Sequence, residues 1–172
     1  MVTGQQSQKK ITIHSENNQV IDATTEPAIQ YLNGDVKLFH SNAYMYCDTA
    51  VLRGSLLKMY YNVVLLQNDT IRIFADSARY DGDSLIAYIY GNITLENGPG
   101  RQLYTTFLRY DVKNKIGYYT RNARLVDGNS TLISKRGTYR LNDRIAWFYE
   151  KVKVTGEDFD LVSDSLSYHT QT

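Results

Sequence analysis

The sequence predicts an all-β protein built from about five copies of one 28–30-residue repeat, stacked into an elongated double-layered sheet. Three observations carry this. Fifteen tyrosines against two prolines favour strands over helices and tolerate few breaks. A short element ending in an aromatic or apolar residue recurs at spacings of 28, 30, 29 and 29. Between its copies, apolar residues stand two positions apart, the period of a strand with one buried face.

The recurring element runs Asp48-Thr-Ala-Val-Leu52, Asp76-Ser-Ala-Arg-Tyr80, Thr106-Phe-Leu-Arg-Tyr110, Lys135-Arg-Gly-Thr-Tyr139 and Asp164-Ser-Leu-Ser-Tyr168. Seven positions before each end stand Met45, Ile73, Leu103, Leu132 and Leu161. One position later come Tyr46, Phe74, Tyr104, Ile133 and Val162, then the small residues Cys47, Ala75, Thr105, Ser134 and Ser163. A second set of columns lies between anchors. Leu56, Ile86, Ile116 and Ile145 correspond, as do Met59, Ile89, Tyr119 and Phe148. Val63, Ile93, Ala123 and Val152 follow, then Leu65, Leu95, Leu125 and Val154. Turn signals such as Asp81-Gly82-Asp83, Asn97-Gly98-Pro99-Gly100 and Asp127-Gly128-Asn129 separate the strands. Each repeat therefore reads as strand, turn, strand, turn. Ile29 to Leu38 fits the second half of a unit, and Lys10 to His14 a further strand. Residues 10–172 form one domain in this reading. Residues 1–9 are expected to be a disordered lead or a remnant of expression.

A hairpin of this kind cannot bury its apolar face alone, so stacking must supply the core. Stacked columns become apolar lanes. A facing sheet can seal such a lane into a dry core, or leave it open as a groove for an elongated apolar ligand. Periodicity does not choose between them.

Net charge is +1, from 19 basic and 18 acidic residues, which excludes a nucleic-acid binder working through bulk charge. The single cysteine, Cys47, can form neither an internal disulfide nor a cysteine-pair zinc site. No run approaches the roughly 18 apolar residues of a membrane-spanning helix. The polar N-terminus has no signal-peptide core, so the chain is either cytoplasmic or a mature form whose leader has been removed.

Short motifs point to a family. Gly34-Asp35-Val36-Lys37-Leu38 followed by Tyr46-Cys47-Asp48-Thr49-Ala50 resembles the G-N-V … Y-C-D-S-A pattern of OstA-like proteins. Ala75-Asp76-Ser77-Ala78-Arg79-Tyr80 resembles their recurrent A-D-x-A-x-Y, and Ile11 to Ser15 their opening strand. The family is that of the periplasmic lipopolysaccharide-transport protein LptA and the N-terminal domain of LptD. The tyrosine-rich, Y-C-D form looks like its Bacteroidetes branch. The resemblance decays along the chain, where Thr106 and Lys135 replace the motif's aspartate. It implies a V-shaped, mostly antiparallel β-jellyroll whose apolar interior carries lipid A acyl chains toward the outer membrane. It also implies a periplasmic location with the signal peptide removed. The implied partners are lipopolysaccharide, other transport jellyrolls joined by edge-strand pairing, and a head-to-tail homo-oligomer.

On that resemblance, the lipid-groove lining would be Met45, Ile73, Leu103, Leu132, Leu161, Met59, Ile89, Phe148, Leu65, Leu95, Leu125 and Val154. Headgroup phosphates would need a basic rim, for which Lys37, Arg53, Arg72, Arg101, Arg124 and Lys153 are candidates. The competing readings are a structural or adhesive β-solenoid with a sealed core, and a carbohydrate-acting enzyme on a β-helix scaffold. The last is weakest, because catalysis needs a non-repeating cluster of acids or bases. His14, His40 and His169 are far apart in sequence, and no metalloprotease, phosphate-loop or nucleophile-elbow motif is present. No enzymatic activity, cofactor, metal or nucleic acid is expected. Cys47, in a column of small residues, reads as a buried inert thiol. The tyrosine column Tyr80, Tyr110, Tyr139, Tyr168 reads as a ladder of rings packed on one another with hydroxyls toward water.

Overall fold

The computed structural model describes residues 10–14 and 17–169; residues 1–9, expected to be a disordered lead, lie outside them. The described residues contain strands and no helix. In chain order these are β1 (Thr12–Ile13), β2 (Gln19–Asp22), β3 (Ile29–His40), β4 (Ala43–Arg53), β5 (Leu56–Gln67), β6 (Ile71–Asp81) and β7 (Ile86–Asn97). They continue with β8 (Arg101–Asp111), β9 (Ile116–Tyr119), β10 (Ala123–Asp127), β11 (Ser130–Ser134), β12 (Arg136–Arg140), β13 (Ile145–Thr155) and β14 (Asp160–His169). From β3 to β8 each strand pairs antiparallel with the next, forming a meander.

The meander is bent along one line. Register shifts fall in mid-strand, between Asn33 and Val36, Tyr46 and Thr49, Tyr60 and Val63, Phe74 and Ser77, Tyr90 and Ile93, and Tyr149 and Val152. Such bulges bend a strand and raise its twist. Residues at these corners take left-handed backbone: Gly34 and Asp35, Tyr61 and Asn62, Gly91, and Glu150 and Lys151. At two corners the strand breaks outright. β9 and β10 are the two halves of one broken strand, and β11 and β12 of the next. β8 shows this directly, pairing its first half with β10 and its second with β9.

Each long strand thus contributes to two half-sheets that face one another, and each of the short strands β1, β2 and β9 to β12 contributes to one. The first carries Val36–His40 and its neighbours, the second Ile29–Asn33 and its neighbours. The inner face of the first half-sheet holds one unbroken row: Ile13, Leu38, Met45, Leu65, Ile73, Leu95, Leu103, Leu125, Leu132, Val154, Leu161. At about 4.8 Å per strand it runs roughly 48 Å. From Leu38 to Val154 no member is more than 6% exposed. Opposite it run Leu32, Ala50, Met59, Ala78, Ile89 and Leu108 on the second half-sheet, all buried. Burying each large aliphatic side chain contributes about 1.5–3 kcal/mol. The repeat period equals the register of the stack, so like residues fall in line.

Candidate functional site

The interior is filled with side chains. Met45, Ile73, Leu103, Leu132, Met59, Ile89, Phe148, Leu65, Leu95, Leu125 and Val154 all point inward and are buried. Leu161 departs from the rest of the expected lining. It continues the row beyond Val154 but is 42% exposed. β14 pairs only with β13, so no further strand covers Leu161, and Leu166 and Tyr168 beside it are half-buried. The apolar interior therefore opens to solvent at its C-terminal end.

The open side of the bend is closed by polar groups. A third row, at the free margin of the second half-sheet, runs Leu57, Tyr80, Ala87, Tyr110, Gly117, Tyr139, Ala146, Tyr168. Small residues separate the tyrosines and leave room for each ring, so the rings do not pack on one another. Nor do the hydroxyls point to water. Tyr80 shares a 2.7 Å hydrogen bond with His40 Nδ1, and Tyr110 donates to Gln67 Oε1 at 2.6 Å. Asn97 Nδ2 donates to the Tyr139 hydroxyl at 3.4 Å, and the Tyr168 hydroxyl donates to Asp127 at 3.3 Å. Asp127 also pairs with Arg101 at 3.5 Å. Gln67 and Asn97 reach further across the mouth, to the carbonyls of Val112 and Leu141. Burial pushes the Tyr80 and Tyr110 hydroxyls well above the usual phenol range, with the charges of Asp81 and Asp111 adding to it. The Tyr80 and Tyr110 phenols therefore keep their protons at physiological pH.

The expected basic rim does not form. Lys37, Arg72, Arg124 and Lys153 sit on the outer face, alternating with the buried row, and are exposed. Arg124 lies over the Tyr104 ring at 4.7 Å. Arg101 points inward, buried and paired with Asp127. Arg53 is exposed beside a cleft of about 650 Å³ at the N-terminal end, which Lys10, Ile11, His40 and Asp83 also line. The six cations therefore share no common rim.

The recurring aspartates act at the corners. Asp48 accepts from Asn62 Nδ2 at 2.8 Å. Asp76 accepts from both the backbone and side-chain nitrogens of Asn92 at 3.0 Å. The Asp81 carboxylate caps its own turn, accepting from the backbone N–H of Asp83. Cys47 is buried against a corner, and burial, aided by the Asp48 charge, pushes its thiol up to about 12. Sequence reasoning found the tyrosine column but missed its partners His40, Gln67, Asn97 and Asp127, which recur at the end of alternate strands.

A bent antiparallel meander with a continuous apolar interior defines an elongated β-jellyroll. The chain matches the family of OstA-like proteins over residues 8–164, and it belongs to that family. The family is one of transport and binding proteins, lipopolysaccharide-transport-type jellyrolls of periplasmic type. Comparison with curated proteins finds no match. Among the described residues, no helix is long and apolar enough to cross a membrane.

Proposed function

We propose that this protein carries lipopolysaccharide through the periplasm toward the outer membrane, sheltering lipid A acyl chains along its inner apolar rows. The observation that supports this most is the row from Ile13 to Leu161, which is continuous along the stack and ends in an exposed leucine. An acyl chain meeting Leu161, Leu166 and Tyr168 finds apolar surface already facing solvent. Farther in, the chain would take the place of packing between half-sheets, with the tyrosine rungs parting as it passes. Head-to-tail contact with a second copy, or with another jellyroll of the transport system, would pair β14 with a partner's edge strand and cover Leu161.

A second reading has its own support. The interior between Leu38 and Val154 is closed, as a sealed structural scaffold requires. Native mass spectrometry of protein purified from a membrane-containing, lipopolysaccharide-producing host separates the two. Carriage predicts a co-purifying lipid of lipid A mass. Protein that emerges free of lipid after gentle extraction, and does not crosslink lipopolysaccharide through a photoreactive residue at position 161, favours the scaffold.

A further inference from the structure

The corners of the bend are not alike. In the first two repeats an aspartate clasps an asparagine across the corner, Asp48 to Asn62 and Asp76 to Asn92. The third repeat keeps the asparagine, Asn122, but has Thr106 in place of the acid. The fourth has Lys135 in the aspartate's column and Lys151 in the asparagine's column, two cations where an acid–amide hydrogen bond stands earlier. Neither lysine has a carboxylate partner among the described residues, and the nearby Glu150 is engaged by Arg136. At this same place β9 parts from β10 and β11 from β12, and the outer surface opens into a groove of about 590 Å³. Tyr104, Ala123, Arg124, Ile133, Lys135 and Lys151 line it, and no acidic side chain does so among the described residues. Ile133, 43% exposed, supplies apolar surface beside three cations.

We propose that this corner groove is an anion site that receives a carboxylate from an acidic segment of a partner protein, seated where the Asp76 carboxylate sits one repeat earlier. The template for recognition is internal. The Asn92 amide and backbone N–H hold a carboxylate oxygen in the second repeat, and Asn122 is their counterpart in the third. Lys135, Lys151 and Arg124 supply charge complementarity, and Ile133 and Tyr104 take an apolar neighbour of the acid. The site lies on the outer side of the bend, apart from the lipid reading above, and does not depend on it.

The test is a titration of the full chain, followed by backbone amide NMR, with three probes. These are a capped tetrapeptide of alternating aspartate and leucine, its asparagine–leucine counterpart, and inorganic phosphate. The acidic peptide is expected to shift amides around 122–124, 133–135 and 151. The asparagine peptide and phosphate should each bind at least tenfold more weakly. Thr106→Asp restores the missing acid from within. It should weaken the acidic peptide at least tenfold without lowering the melting temperature. Should that variant fold poorly, Lys135→Gln, which only removes a charge, should weaken it at least threefold. Unchanged peptide affinity in the folded variant overturns the site. Phosphate binding as tightly as the peptide overturns the acidic-segment assignment.

Discussion

Tyr110 donates its hydroxyl to the Gln67 side chain at 2.6 Å, joining residues 43 positions apart across the mouth of the bent sheet. Gln67 in turn donates to the Val112 carbonyl at 2.8 Å, so one amide is satisfied on both sides inside the protein. This rung fixes which repeat of one half-sheet faces which repeat of the other. Apolar rows of similar leucines would tolerate a slip; a buried amide with two partners does not.

Tyr110→Phe should therefore cost more than its lost hydroxyl suggests, because the Gln67 oxygen is left buried and unpaired. The expected loss is about 1–3 kcal/mol, read from urea unfolding. Gln67→Leu should cost a similar amount. The double variant should cost less than the sum, with a coupling of about 0.5–3 kcal/mol. Strictly additive losses would mean that the rung carries no interaction of its own.

Gly91 is held to glycine twice over. Its φ of +98° lies where side chains are strained, and an added Cβ would overlap the Asp76 carboxylate. Gly128, at φ +57°, has nothing within 4 Å of where a Cβ would go. Gly91→Ala should destabilise by more than about 1 kcal/mol, and by more than Gly128→Ala, which carries only the backbone cost. Equal melting-temperature drops would sink the claim that the Asp76–Asn92 clasp needs this close approach.

Alkaline pH should unfold the protein through its tyrosines. Burial holds the Tyr119 hydroxyl up at about 12, against 10.0 for a free phenol, and holds Tyr80 and Tyr110 above the free value as well. A group whose folded value is raised contributes stability that is complete below its unfolded value and lost as pH rises through the folded one. Urea midpoints should therefore be level from about pH 7 to 9 on this account and fall above about pH 10. Phenolate absorbance should rise in two stages, exposed tyrosines first and the buried ones together with unfolding. A single smooth titration with no loss of structure would contradict the buried rungs.

The apolar rows were legible because two periods coincide in them. Alternation along a strand chooses the face, and the 28–30-residue repeat places like residues side by side. The same alternation argues against the basic rim. Lys37 stands between Val36 and Leu38, Arg72 between Ile71 and Ile73, and Lys153 between Val152 and Val154, so each must face outward when its neighbours face in. Arg101, two positions before Leu103, must face in, as it does. The mouth was harder to read. The partners of the tyrosines lie about one and a half repeats away and change identity from His40 to Gln67 to Asn97 to Asp127, so no column of like residues marks them. The corners were half visible. Asn62, Asn92 and Asn122 recur at a spacing of thirty, but nothing in a single strand says that it bends there.

Two leucines of the inner row stand in opposite surroundings. Leu132 is 3% exposed, set between Leu125 and Val154, whereas Leu161 is 42% exposed at the open end of the same row. Leu132→Asp buries an unpaired charge at a cost of several kcal/mol, comparable with the whole stability of a marginal array. That variant should melt far lower, whatever the protein carries, and so speaks to packing alone. Leu161→Asp keeps its charge in water. Its melting temperature should stay within a few degrees of the unchanged chain. If acyl chains enter over Leu161, lipid co-purifying with this variant should fall sharply while the fold persists. A folded Leu161→Asp protein that retains its full complement of lipid would exclude the C-terminal end as the point of entry. Lipid would then have to enter by parting the tyrosine rungs, and Tyr110→Phe should increase the rate of lipid exchange.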